Sequence, residues 1–127
     1  MRLLLDTHAL LWSLGSPDRL PTRIAKALRD PSNSVYVSAA SAWEIAIKAS
    51  LGKLKADMDE IVGAIAEVSF DELPITLVHA RRVRKLPTHH RDPFDRMLVA
   101  QALEEGLALV THDGALEAYR VPIEWEW

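Results

Sequence analysis

Residues 92–113 read DPFDRMLVAQALEEGLALVTHD, and the fold assignment starts from this stretch. Asp92 is a typical N-cap with Pro93 as the first helical residue, and Gly106 is typical of a helix end. The apolar run Leu107–Val110 follows at once and has the length of a buried strand. A helix that leads directly into a buried strand indicates an α/β protein.

The same alternation of short apolar runs and helical segments extends over the whole chain. We predict strands at 3–5, 35–37, 107–110 and 123–125, with a short extended piece around Leu73 and Ile75. We predict helices at 7–14, 21–29, 41–51, 57–68, 76–85 and 93–105. This order is typical of a three-layer α/β/α sandwich with a mostly parallel central sheet. No linker or repeat interrupts it, so residues 1–127 are expected to form a single domain.

Composition limits the chemistry that the chain can carry. There are no cysteines among the 127 residues, which excludes disulfides, thiolate zinc sites and cysteine nucleophiles. The apolar run Leu3–Leu5 is too short for a signal peptide or a membrane span, so we expect a cytoplasmic protein with no membrane partner. The net charge of −3 does not by itself indicate a nucleic-acid partner.

Two candidate site acids follow predicted buried strands. Asp6 comes directly after Leu3–Leu5, and Asp113 comes shortly after Leu107–Val110. Ligands of parallel sheets bind beyond the carboxyl ends of the strands, so both carboxylates are placed where a site would form. Each could equally be a helix N-cap, a role that Asp favours, and their positions alone leave both interpretations open.

Asp95 begins the inward face of its predicted helix. Leu98, Val99 and Ala102 follow at i+3, i+4 and i+7, whereas Gln101 is expected to point away from this face. A lone carboxylate on a buried face is costly and requires a partner or a metal ion. The apolar stripe therefore makes Asp95 a candidate site residue.

Glu44 repeats this arrangement on another predicted helix. Ala40, Ile47 and Leu51 share its face, which should therefore be apolar. Lys48 at i+4 offers a structural alternative, a Glu–Lys pair worth only about 0.2–0.5 kcal/mol. Such pairs normally lie on solvated faces, whereas the face of Glu44 is apolar. We therefore favour Glu44 as an inward-facing site carboxylate that also pairs with Lys48.

The four acids Asp6, Glu44, Asp95 and Asp113 are expected to converge on one pocket. Four unpaired carboxylates would raise one another's pKa, and divalent cations remove the repulsion. Oxygen-only donors favour Mg²⁺ or Mn²⁺ over zinc. Such a site suits phosphoryl transfer, in which a metal ion activates water and neutralises charge on the phosphate. Without these acids the chain would carry a net charge of +1 instead of −3, which is compatible with a polyanionic partner.

Four short motifs occur in order along the chain: DTHALLW at 6–12, SAASAWEIAIK at 38–48, RDPFDRMLVAQA at 91–102 and VTHD at 110–113. Together they resemble the PIN-domain ribonucleases, specifically the toxins of VapBC-type toxin–antitoxin pairs. The resemblance covers essentially the whole chain. It implies an α/β/α fold and a Mg²⁺- or Mn²⁺-dependent endoribonuclease. It also implies that Asp6, Glu44, Asp95 and Asp113 hold the metal and form the catalytic site.

The resemblance also implies partners. A growth-inhibiting toxin of this kind would form a homodimer and a hetero-oligomer with a cognate antitoxin, and it would meet operator DNA only through that antitoxin. The antitoxin is expected to dock between helices 41–51 and 57–68. We keep one alternative open, a catalytically silent binding module that acts only in the antitoxin–operator DNA complex.

A second class of enzyme, the Asp-nucleophile phosphatases, needs Asp-x-Asp after the first strand. This chain has Asp6-Thr7-His8 there, so the second acid of that motif is absent.

Other residues are candidates for supporting roles. Thr7 and Thr111 could hydrogen-bond the acids, although both could also be ordinary turn residues. Possible RNA contacts, through phosphates, are Lys48, Arg81, Arg82, Arg84, Lys85 and Arg96. A solvated helix face explains the four on helix 76–85 equally simply. Trp43 lies inside a helix, so we expect it to pack rather than to stack on a base.

Overall fold

The computed structural model describes residues 1–88 and 91–112 in full and the backbone of residues 123–125. Within these residues five strands form one sheet: β1 (Arg2–Leu5), β2 (Ser34–Ser38), β3 (Asp71–Leu73), β4 (Ala108–Val110) and β5 (Ile123–Trp125). Their spatial order is β3-β2-β1-β4-β5, and every neighbouring pair is parallel. β1 is central, with Leu5 opposite Val37 on one side and Val110 on the other.

Six helices and one short 3-10 turn connect the described strands. They are α1 (Thr7–Gly15), the 3-10 turn (Pro17–Arg19), α2 (Thr22–Arg29), α3 (Ala39–Ser50), α4 (Met58–Glu67), α5 (Leu77–Lys85) and α6 (Pro93–Glu105). Each predicted helix and strand is present, and the 3-10 turn is an addition. No helix of the described residues has the length and apolar character needed to cross a membrane.

Alternation along β1 divides the core between the two faces of the sheet. Leu4 packs with Leu98 of α6 in one apolar cluster, and Leu3 and Leu5 pack with Ile45 of α3 in the other. Because successive side chains of a strand point to opposite faces, one short run of leucines serves both layers. Helices cover both faces, which confirms the predicted three-layer α/β/α architecture.

The ends of two helices follow the predicted capping chemistry. The Asp92 carboxylate accepts hydrogen bonds from the backbone amides of Phe94 (2.8 Å) and Asp95 (3.0 Å) at the start of α6. Gly106 ends α6 and Gly52 follows α3, with φ angles of 66° and 73°. Glycine adopts this left-handed conformation without the steric cost that a side chain adds.

Two side chains of α3 and its C-cap are more exposed than predicted. Trp43, expected to pack, is 60% exposed and meets only the edge of the Phe94 ring, with the ring centres 5.3 Å apart. Leu51, expected to share an apolar face with Glu44, is 62% exposed, whereas Glu44 itself is only 6% exposed. The buried residues of α3 form one face within its first half: Ala40, Ser41, Glu44 and Ile45. Trp43 is exposed because it lies on the opposite face of the helix, and Leu51 is exposed because it lies beyond the packed half.

Gln101 corrects the helical-wheel prediction for α6. It was expected to point away from the buried face, but its side chain is fully buried because α5 packs along the far side of α6. Its Oε1 accepts a hydrogen bond from the Ser38 hydroxyl (2.5 Å). Its Nε2 donates to the Pro74 carbonyl (3.4 Å) and lies 3.4 Å from His79 Nδ1. The amide is thus paired within the protein interior.

Ser38 extends this interaction to α3. Its hydroxyl is the N-cap of that helix and accepts a hydrogen bond from the Ala40 amide (3.0 Å). The Ser38–Gln101 hydrogen bond therefore connects the start of α3, which carries Glu44, to α6, which carries Asp95.

We expect Gln101→Leu to lower the free energy of unfolding by about 2–3 kcal/mol, because it leaves buried polar groups of Ser38 and Pro74 without their partner. Arg82→Gln is the comparison, since it removes a partly exposed ion pair to Glu104 (3.2 Å) between the same two helices, α5 and α6. Its cost should stay below about 1 kcal/mol. Urea unfolding followed by circular dichroism measures both, and equal losses would contradict the importance of the buried amide.

Candidate active site

A cavity of about 550 Å³ opens at the carboxyl edge of the sheet, and we call it the acidic pocket. It is lined by Asp6, Thr7, His8, Leu11, Glu44, Ile45, Lys48, Lys53, Leu54, Asp92, Asp95 and His112. The topology thus brings together three of the four predicted site acids, one after β1, one on α3 and one on α6. The fourth, Asp113, lies outside the described residues.

Asp6 is both a helix cap and a pocket residue. Its carboxylate accepts a hydrogen bond from the Ala9 amide (2.7 Å) at the start of α1, and it is 6% exposed. Burial raises the pKa of Asp6. A side-chain hydrogen bond from Thr111, the Ala9 amide and the charges of His8 and His112 oppose that rise in pKa. The two interpretations that its sequence position allowed are therefore compatible.

Glu44 has a protein partner on each carboxylate oxygen. The Thr7 hydroxyl donates to Oε1 (2.6 Å), and the Lys48 ammonium donates to Oε2 (2.6 Å). The hydrogen bond to Glu44 has the largest effect and raises the pKa of Lys48. Burial lowers this pKa, and the negative charges of Glu44, Asp92 and Asp95 raise it. The Glu–Lys pair considered from the sequence therefore exists, but it lies at the acidic pocket.

Asp92 is a pocket residue that the sequence assigned to capping alone. It caps α6 as predicted, and it also lines the acidic pocket beside Asp95, which is half-buried. The signal was present in the sequence, because an N-cap and the residue three positions later lie on the same side of a helix start.

The donor chemistry of the acidic pocket suits a hard divalent cation. Carboxylate oxygens of Asp6, Glu44 and Asp95 are the ligands that Mg²⁺ and Mn²⁺ prefer. The buried Asp6 carboxylate is costly in its charged form, and a bound cation would offset that cost. In residues 1–88 and 91–112, however, no three Asp, Glu or His side chains are arranged closely enough to hold a metal ion together. Lys48 and Thr7 hold Glu44 in this arrangement.

Two histidine rings line the acidic pocket, and a tryptophan ring and a guanidinium pack nearby. The Trp12 ring is parallel to the His112 ring, with their centres 6.2 Å apart, and the Arg19 guanidinium lies 4.6 Å from the centre of the Trp12 ring. The His8 ring centre is 5.6 Å from that of His112. His8 and His112 line the pocket, whereas Trp12 and Arg19 are not among its lining residues.

The structure separates the predicted RNA contacts into two groups. Lys48 lines the acidic pocket, whereas no α5 residue does so among the described residues. The Arg96 guanidinium donates to backbone carbonyls at the end of α5, those of Val83, Leu86 and Pro87. The α5 residues form a basic surface that is largely exposed, with Arg82 paired to Glu104: Arg81, Arg82, Arg84 and Lys85.

A second cavity, of about 660 Å³, lies at the opposite, amino edge of the sheet. It is lined by residues of α2, the starts of β2 and β3 and the segment before β3, including Leu28, Val35, Val68 and Phe70. None of the candidate site acids lines it. Its larger size therefore does not make it a candidate for the chemistry of the carboxylates.

We expect Asp6→Asn to raise the melting temperature by about 2–5 °C at pH 7 without divalent cations, because it removes a buried charge and retains an oxygen for the cap. The buried charge destabilises the folded state fully at pH values above the raised pKa of Asp6. This destabilisation disappears as the pH falls towards 3.8, the ordinary pKa of an Asp side chain. The difference in melting temperature between Asp6→Asn and the wild type should therefore shrink as the pH falls over this range. Mn²⁺ should raise the melting temperature of the wild type and not that of the variant.

Differential scanning fluorimetry with and without EDTA measures these shifts. Asp71→Asn is the control, because it neutralises an exposed carboxylate at the amino edge of the sheet and should change neither value. A lower melting temperature for Asp6→Asn in EDTA would contradict the cost assigned to the buried charge.

Comparison with known proteins gives a consistent assignment. The model of the PIN domain family matches residues 3–122. Ribonuclease VapC22 of Mycobacterium tuberculosis is 30% identical over 122 residues, which cover 94% of this chain and 92% of the relative.

Solved structures share the fold at lower identity. VapBC2 from Rickettsia felis bound to a DNA fragment from their promoter aligns over 100% of this chain and 99% of that chain, with a TM-score of 0.72 and 15% identity. DNA-bound VapBC from Salmonella typhimurium aligns over 98% and 97%, with a TM-score of 0.72 and 19% identity. Since the family model spans nearly the whole chain, the protein belongs to the PIN-domain family.

Proposed function

We propose that this protein is an endoribonuclease that uses Mg²⁺ or Mn²⁺ to hydrolyse phosphodiester bonds in RNA. The observation that carries the proposal is the buried Asp6 carboxylate facing a pocket shared with Glu44 and Asp95. The relative from Mycobacterium tuberculosis, which is named a ribonuclease, matches over nearly the full length of both chains and supports the RNA substrate.

In this proposal the four acids Asp6, Glu44, Asp95 and Asp113 hold the cation, with Asp113 contributed from outside the described residues. When bound, the cation supplies an activated water and neutralises charge on the phosphate. Thr111 and Thr7 hydrogen-bond Asp6 and Glu44 respectively, so they orient the acids and have a supporting role. Burial of Asp6 keeps bulk water from screening the charges of the site.

The basic residues would act on the RNA backbone. Lys48 and Lys53 line the acidic pocket and are placed to contact the phosphate that is cleaved. The exposed basic surface of α5 is further away, so its contacts would position the RNA without reading its sequence. Arg96 holds the end of α5, and its contact with RNA stays a prediction.

We expect purified protein to cleave RNA with Mg²⁺ or Mn²⁺ and to lose this activity in EDTA. Loss of a group that hydrogen-bonds a metal ligand typically costs about 10–100-fold in metal affinity or activity. Asp95→Asn and Asp113→Asn change proposed ligands themselves, so they should lower the rate by about 100-fold or more. Gel analysis of a defined RNA measures the rates. Asp71→Asn, with the same chemical change at the opposite edge of the sheet, should cleave like the wild type.

Equal cleavage by the wild type, the EDTA-treated protein and Asp95→Asn would instead indicate a contaminating nuclease. The silent binding module, acting only in an antitoxin–operator DNA complex, would then be the better account.

We further propose that the protein is a growth-inhibiting toxin neutralised by a cognate antitoxin. The structures that share its fold include VapBC complexes, two of them with DNA, and this supports a partner that mediates DNA binding.

The groove between α3 and α4 remains the predicted docking surface for the antitoxin. Exposed Leu51 and Val62 (62% and 58%) and the absence of fully buried residues from α4 support an apolar partner there. A cytoplasmic location stays a prediction.

A homodimer is the second assembly that we propose. An apolar face of the described residues includes Trp43, Ile75 and Phe94, which surround a depression of about 340 Å³, with Leu77 nearby in sequence and 89% exposed. An exposed indole beside other apolar groups is typical of a surface that a partner covers. A second copy of the chain is the occupant that the family resemblance implies.

We expect Trp43→Lys to shift the protein from dimer to monomer, because it places a charge at the centre of this face. Light scattering coupled to size-exclusion chromatography measures the mass. Leu51→Lys is the matched control, since it lies on the same helix with nearly the same exposure but at the predicted antitoxin groove. A dimeric Trp43→Lys, or a monomeric Leu51→Lys, would place the dimer interface elsewhere.

A further inference from the structure

Lys48 places a positive charge within the acidic pocket. Its ammonium is 2.6 Å from Glu44 Oε2, and the other Glu44 oxygen is 2.6 Å from the Thr7 hydroxyl. Helical geometry fixes this placement, because residues four apart lie one above the other on the same face of α3. The Lys48 side chain is 48% exposed and that of Glu44 is 8% exposed, so the ammonium covers the carboxylate at the mouth of the pocket.

The contacts of Glu44 favour a single divalent cation. Asp6, Glu44, Asp92 and Asp95 line the described part of the pocket with negative charge, and Lys48 and Lys53 add positive charge. A second divalent cation beside Glu44 would have to share an oxygen with the Thr7 hydroxyl or the Lys48 ammonium, and the ammonium would repel it.

We propose that Lys48 takes the place of a second metal ion, so that the pocket holds one divalent cation on the Asp6 and Asp95 side and an ammonium on the Glu44 side. This revises the role given above to Glu44, whose carboxylate then holds the ammonium instead of the cation. In two-metal nucleases both cations stabilise charge on the reacting phosphate. An ammonium has three donors, and here one is used on Glu44. The others are available to a phosphate oxygen of the substrate, and no bond to Lys48 forms or breaks in the reaction.

This role rests on the proposed nuclease function, but it differs from a purely structural ion pair. A structural i,i+4 pair would stabilise the helix slightly and leave metal binding unchanged. If the Lys48 ammonium instead replaces a second metal ion, it limits the number of divalent ions that the pocket binds. The count of bound ions therefore separates the two roles, and it can be measured without RNA.

The test counts Mn²⁺ ions by isothermal titration calorimetry and by electron paramagnetic resonance of free Mn²⁺. The wild type and Lys48→Arg should bind one ion per chain. Lys48→Met, which keeps the length of the side chain and removes its charge, should bind two. Lys53→Met is the charge-matched control in the same pocket and should still bind one ion, because Lys53 does not pair with Glu44 in the described contacts.

RNA cleavage provides a second measurement. Lys48→Met should lower kcat by about 100-fold with less than about a threefold change in KM, and Lys48→Arg should restore part of kcat. Two Mn²⁺ ions in the wild type, or one in Lys48→Met, would overturn the role of Lys48 while leaving a metal-dependent nuclease in place. No Mn²⁺ binding by the wild type would overturn both proposals. Circular dichroism checks that each variant is folded.

Discussion

The hydrogen bond between Ser38 and Gln101 is the contact on which the geometry of the acidic pocket depends. It joins residues 63 positions apart in a fully buried setting. A buried amide and hydroxyl are costly unless they pair, so the interior accepts only arrangements of α3 and α6 that keep this bond. Glu44 lies six residues after Ser38, and Asp95 lies six residues before Gln101. Fewer than two helical turns thus separate each acid from the bond.

Asp6 shows how a structural and a chemical role can share one residue. As the N-cap of α1 it uses an oxygen on the Ala9 amide, and as a pocket residue it holds a carboxylate that burial disfavours. The cap and the Thr111 hydrogen bond keep the group in place despite that cost. The folded chain is consequently less stable than its core alone would make it, which is common where a protein must present charge to a ligand.

Much of the fold could be predicted because it depends on local signals. Apolar runs and capping residues, such as Asp92 and Gly106, fix where the strands and helices begin and end. Packing between distant elements could not be predicted. The burial of Gln101 depends on α5 covering α6, and the exposure of Trp43 depends on which face of α3 meets the core. The position of Asp113 in the site stays a prediction, since it lies outside the described residues.

The two cavities lie at opposite edges of the parallel sheet and share no lining residue. Substitutions around Phe70 at the amino edge therefore leave the residues around Asp6 untouched. The sheet thus separates a surface that carries none of the candidate site acids from one that carries three of them. Duplicated copies of such a gene could acquire different surfaces at one edge while keeping the same carboxylates at the other.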